Sequence, residues 1–172
     1  MKLKIIGTVL AVVIFSSALQ FSLRYSDLWI NLTSSMPQGV YKVRALEEKR
    51  GAAVLFCLDT KSAKFAKQRG YVGYGNCPEN TAPLGKYLKG LPGDLAYIGK
   101  EGIRINGLLI ADSAPRLKDG NGRPLTAAKL DRALDQDEFI LASERTQSYD
   151  SRYFGTVKKS ELLNGLEAFY LF

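Results

Sequence analysis

Behind Met1-Lys2-Leu3-Lys4 runs a nearly unbroken apolar stretch from Ile5 to Phe21, softened by Gly7, Thr8, Ser16, Ser17 and Gln20. A helix of about 20 residues usually spans a bilayer. Extending the stretch through Ser22 to Leu23 makes it long enough. Lysines ahead of such a run stay on the cytoplasmic side, so everything after it is placed outside the cytoplasm. Residues 1–24 are therefore read as an N-terminal membrane anchor, a transmembrane helix, and 25–172 as one exported domain. Tyr25 and Trp29 fall where interfacial aromatics are common. Ser16-Ser17-Ala18 also offers small residues for signal-peptide cleavage. The uncleaved anchor is the favoured reading of the two.

The chain has 172 residues, of which 46% are hydrophobic and 24% charged, a normal balance for a globular fold. Its net charge of +7 raises the question of nucleic acid. The basic residues are scattered singly, without a recognition-helix or stacking-sheet motif, so no nucleic-acid partner is expected. A basic surface beside anionic lipid head groups suits the N-terminus better. Cys57 and Cys77 are the two cysteines, and an exported domain with such a pair points to a disulfide. Closing that short loop contributes about 3 kcal/mol. Two thiols without histidine leave too few ligands for zinc.

Most local signals are those of short strands. Gly39–Val43 and Asp137–Ala142 alternate, Ala53–Cys57 is a compact apolar run, and Glu167–Phe172 reads as a last strand. Asp94–Ile98 leads into a hairpin over Gly102–Ile110, with Asn106-Gly107 as a type I′ turn. Thr60 is read as the cap of a helix over Lys61–Arg69, stopped by Gly70. Leu125, Ala128, Leu130 and Leu134 have helical spacing, predicting a second helix. The loop from Lys118 to Pro124 separates them. The expected fold is mainly β, an antiparallel domain with small helical insertions.

The chain contains no histidine, so a Ser-His-Asp triad is impossible and any hydroxyl nucleophile needs another base. A lysine is the main precedent. Ser35 lies in Thr33-Ser34-Ser35-Met36-Pro37, where Pro37 biases Met36 toward an extended conformation. Such a bend presents a hydroxyl and backbone N–H groups outward; it also reads as an ordinary polar turn. Lys86 sits among Leu84, Tyr87, Leu88 and Leu91. Burial there lowers its pKa, and a drop of about three units takes roughly 4 kcal/mol. Lys89 is the rival. Leu91-Pro92-Gly93-Asp94 is a turn, with Asp94 bonding nearby N–H groups. In Ser148–Arg152, an Asp150–Arg152 pair holds a loop that also brings the Ser148 hydroxyl toward a lysine.

Three segments carry a resemblance. Ser35-Met36-Pro37, Lys86 ahead of Gly90-Leu-Pro-Gly-Asp94, and Ser148-Tyr-Asp-Ser-Arg-Tyr-Phe-Gly155 follow, in order, the pattern of the type I signal peptidases, serine–lysine membrane proteases. Asn31-x-Thr-x-Ser-x-Pro-x-Gly-x-Tyr41 is closer to the TraF-like conjugative transfer branch. The resemblance implies Ser35 as nucleophile and Lys86, not Lys89, as general base. It implies Thr33 beside the oxyanion, Ser148 orienting the lysine, and Asp150 with Arg152 as supporting pair. It leaves Ser34, Ser143 and Ser151 without a chemical role. It implies a domain facing the periplasm on a single-pass anchor in the inner (cytoplasmic) membrane, and it needs no metal or organic cofactor. The implied substrate is a prepilin or other exported preprotein, with conjugation or type IV secretion components as neighbours. A general leader peptidase and a non-catalytic assembly protein are the alternatives.

Overall fold

The computed structural model describes Val9, residues 12–17 and residues 27–172. Most of the expected anchor, and Tyr25, lie outside the described residues. Val9 and residues 12–17 are helical and exposed. Among the described residues, no helix is long and apolar enough to cross a membrane.

From Leu28 the chain is mainly antiparallel β. Strands β1 (Leu28–Asn31), β2 (Gly39–Arg44), β3 (Ala53–Phe56), β5 (Leu84–Gly90), β10 (Glu138–Ala142), β11 (Val157–Lys158) and β12 (Leu162–Leu171) form a seven-stranded sheet. Its order is β1-β2-β12-β3-β5-β10-β11. Strands β6 (Leu95–Gly99), β7 (Gly102–Ile105), β8 (Leu108–Leu109) and β9 (Leu130–Ala133) form a four-stranded sheet of order β8-β7-β6-β9. From Leu28 on, the remaining elements are β4 (Tyr74–Cys77), α1 (Thr60–Gln68), α2 (Ser151–Phe154) and two 3-10 turns, Pro78–Asn80 and Lys159–Glu161.

Successive strand side chains point to opposite faces, and β10 uses both. Phe139 and Leu141 join Val54, Phe56 and Leu88 in one core. Ile140 and Ala142 join Ile98, Ile103 and Leu134 in another. This explains why Phe139–Ala142 is buried throughout. The Leu91–Asp94 turn leads from β5 to β6. Its Asp94 carboxylate accepts the Leu91 N–H at 2.6 Å and pairs with Arg50 at 2.8 Å. Cys57 and Cys77 are joined, tying the α1 segment back to the end of β3.

The hairpin turns at Asn106 and Gly107, whose φ values of 51° and 83° are those a type I′ turn requires. Two local expectations need correction. The cap of α1 is Asp59, one residue earlier than Thr60; its carboxylate accepts the Lys61 and Ser62 N–H groups at 2.9 and 3.0 Å. No helix forms over Leu125–Leu134. The backbone there bonds to distant segments instead: Leu125 N–H to Leu117, Ala128 N–H to Arg152 and Leu134 N–H to Asp94, with β9 pairing on β6. The apolar spacing still works, because Ala128, Leu130 and Leu134 pack on the second core from an extended chain. Trp29 is half-buried. It packs edge-on against Tyr41 at 5.9 Å, beside the cluster of Met36, Tyr41, Leu55 and Leu166.

Candidate active site

β1 and β2 form a hairpin in which Asn31 faces Gly39, and the connection between them carries Ser35. Seven residues make a loose loop unless its polar groups are tied. The Asn31 side chain ties them. Its Nδ2 donates to the carbonyls of Thr33, Met36 and Pro37 at 3.1, 3.0 and 3.0 Å. Its Oδ1 accepts the Thr33 N–H at 3.0 Å and the Thr33 hydroxyl at 2.7 Å. Tyr41 donates to the Pro37 carbonyl at 2.6 Å. From across the sheet, the Ser143 hydroxyl donates to the carbonyl of Ser35 itself at 2.5 Å. Ser35 Oγ lies 3.2 Å from Thr33 Oγ1.

The hairpin docks on β5 through Met36, which is 3% exposed. Gly85 makes room for it. A Cβ at that position would stand 2.7 Å from the Trp29 ring and 3.1 Å from Met36 Sδ. The next residue is Lys86, so this close approach sets the Ser35 loop beside the lysine strand.

Lys86 is 3% exposed on a strand flanked by β3 and β10. Burial pulls its pKa from the ordinary 10.5 to about 8. The Asp150 carboxylate works against that fall and the Arg152 guanidinium adds to it. Asp150 and Arg152 are themselves fully buried at the start of α2. They pair at 2.7 and 3.0 Å, and the rest of the guanidinium donates to the carbonyls of Ser143 and Asp112 at 3.0 Å. Asp150 also accepts the Ser143 N–H at 3.1 Å. The pair is thus satisfied and linked through Ser143 to the Ser35 carbonyl. Lys89, by contrast, leans outward into an ion pair with Glu144 at 2.6 Å.

Ser35, Lys86, Ser148 and Thr33 line one cleft of about 570 Å³. A second cavity of about 290 Å³ opens on the other side of Ser35, lined by Tyr87, Lys89 and Ser143. Ser148 is buried, and its hydroxyl has no hydrogen-bond partner among the described residues. Among the described residues, no hydrogen bond joins Ser35 to Lys86. Catalytic contacts in free enzymes are commonly long and tighten when substrate binds. Among the described residues, no group of three or more acidic or cysteine side chains is placed to hold a metal.

Asn31, Ser143 and Gly85 were given no site role by the sequence, where Asn31 served only as the first residue of the Asn31–Tyr41 pattern. Asn31 carried a signal, since an Asn at a strand end before a turn commonly bonds its own following backbone. Ser143 and Gly85 carried none, because their partners are remote in sequence.

The model of the signal peptidase family, peptidase S26, matches residues 2–171. The plasmid transfer protein TraF of Escherichia coli is 34% identical over 136 residues, which cover 77% of this chain and 76% of that protein. The conjugal transfer protein TraF of Agrobacterium tumefaciens (strain 15955) is 32% identical over 154 residues, covering 88% and 86%. The crystal structure of a signal peptidase I from Enterococcus faecalis V583 superposes with a TM-score of 0.42 at 19% identity, over 72% of this chain and 99% of that one. The chain belongs to the signal peptidase family, peptidase S26, and its relatives include TraF proteins of plasmid and conjugal transfer.

Proposed function

We propose that this chain is a membrane-anchored serine endopeptidase that removes a leader segment from exported proteins, with a prepilin of a conjugative or type IV secretion system as substrate. The observation that carries the reading is the single cleft that holds the Ser35 hydroxyl and a buried lysine whose pKa lies near 8. In water a lysine is almost wholly protonated at neutral pH; at a pKa near 8 a useful fraction is the free amine.

Neutral Lys86 takes the proton from Ser35 Oγ as that oxygen attacks the scissile carbonyl. The Ser35 backbone N–H and the Thr33 hydroxyl stabilise the oxyanion, and losing one such donor typically costs about 3 kcal/mol. The ammonium then protonates the leaving amine, and an ester to Ser35 remains. Lys86 next activates water to hydrolyse it. An amine in place of water would join the product ends instead. Ser148 orients the lysine, and the Asp150–Arg152 pair holds the floor beneath it.

The domain faces the periplasm from the inner membrane. Val12, Val13, Ile14 and Phe15 in the helical segment are all more than half exposed, as an apolar surface meant for lipid is. The Ser16 and Ser17 hydroxyls fold back on the Val13 carbonyl at 2.9 and 2.8 Å, which lowers the cost of placing them in a bilayer.

The test is co-expression with a candidate prepilin and measurement of product mass for wild type, Ser35→Ala and Lys86→Ala. Cleavage lost in both variants supports the reading, and the mass separates hydrolysis from end-joining. Cleavage that survives Ser35→Ala sinks it.

A further inference from the structure

Hydrogen positions around Thr33 follow from its neighbours. The Asn31 amide has one workable orientation. Its nitrogen faces three carbonyl oxygens, which only accept, and its oxygen faces the Thr33 N–H, which only donates. The Thr33 hydroxyl lies 2.7 Å from that same oxygen and gives it its one hydrogen. Thr33 Oγ1 can therefore only accept from Ser35 Oγ, 3.2 Å away. In that bond the Ser35 hydroxyl is the donor, and among the described residues no hydrogen bond joins it to Lys86.

We propose that Asn31 is a positioning residue for the nucleophile, holding the Ser35 hydroxyl parked on Thr33 until substrate enters. The inference rests on Ser35 and Lys86 being nucleophile and base. When the peptide carbonyl arrives, the Ser35 proton passes to Lys86. Thr33 then turns its hydrogen from Asn31 Oδ1 to the forming oxyanion, and Asn31 Oδ1 keeps the Thr33 N–H. The grip of Asn31 Nδ2 on three carbonyls holds the loop still while that one hydrogen moves. At 2% exposure Asn31 is closed to water, so no solvent molecule takes over its part. Asn31 therefore acts on the chemical step and not on substrate affinity.

The test uses the full chain in membranes with the prepilin substrate, and compares Asn31→Asp, Thr33→Val, Thr33→Ser and the Asn31→Asp/Thr33→Val double variant. A carboxylate at position 31 binds the Thr33 hydrogen harder and loses the donors to the loop. Asn31→Asp and Thr33→Val should each lower kcat by about ten- to a hundredfold, with KM nearly unchanged. Thr33→Ser should stay close to wild type. Because Asn31 works through Thr33, the double variant should lose clearly less than the product of the two single losses. Losses that multiply would show Asn31 to be structural only and overturn the proposal. So would wild-type kcat in Thr33→Val, which decides the matter if Asn31→Asp does not fold. Retained cleavage in Ser35→Ala, run beside them, would overturn the nucleophile assignment itself and the inference with it; loss there with multiplying effects would overturn the inference alone.

Discussion

On the Ser35 side of the cleft, Asn31, Tyr41 and Ser143 tie the loop down with hydrogen bonds of 2.5–3.1 Å. On the Lys86 side, the Ser148 hydroxyl is buried without a partner, and no hydrogen bond reaches the Lys86 amine among the described residues. The first arrangement makes a short loop rigid by satisfying its backbone. The second leaves polar groups under-solvated, which disfavours the ammonium. In the proposed reaction a nucleophile needs position and a lysine base needs a lowered pKa, and the two halves are built by opposite means. The second half weakens the fold. Between about 8 and 10.5 the unfolded chain keeps the Lys86 proton and the folded chain does not, so stability rises with pH through that window. At neutral pH both states hold the proton, and burying it costs about 3 kcal/mol.

The comparison can be broken from beneath. Asp150→Ala leaves Arg152 buried without its partner, and should lower stability by about 3–5 kcal/mol in chemical denaturation. A smaller loss would mean that the floor is not shared by the two sides. Gly85→Ala forces Trp29 and Met36 off β5, and should cost about 1–3 kcal/mol. It should also depress cleavage out of proportion to the lost stability, because it separates the halves; unchanged cleavage would show that the close approach does not set the site. Ser148→Ala sharpens the contrast. Removing a hydroxyl without a partner should leave the melting temperature unchanged or raise stability by about 1 kcal/mol, while cleavage slows. A marked drop in melting temperature would place Ser148 with the satisfied groups instead. Lys89→Ala is the smallest effect. Its partner Glu144 is exposed, so stability should change by less than about 1 kcal/mol, and cleavage should persist.

The parts legible in the sequence are those whose logic is local or carried by residue type. The Asn106-Gly107 turn, the Gly70 stop and the apolar runs of β3 and β10 are local patterns. Ser35 and Lys86 were singled out by the resemblance of their motifs to the signal peptidases; the absence of histidine said only that a hydroxyl nucleophile would need another base. What was hidden depends on distant partners. Leu125–Leu134 carries a helical spacing, yet its backbone bonds go to Leu117, Arg152 and Asp94. The Ser143–Ser35 bond joins positions 108 residues apart. Gly85 looks like any strand glycine until Trp29 and Met36 are laid over it. Four-residue β1 is too short to alternate convincingly, and its Asn31 declares its role only once the loop closes around it.

The proposed role of Lys86, a buried amine acting as the base, is read out in the pH dependence of kcat for prepilin cleavage. The rate should climb as the ammonium is lost, with an apparent pKa of about 8, and level off above it. A rate that keeps climbing toward pH 10.5, or one that is flat across this range, would contradict it.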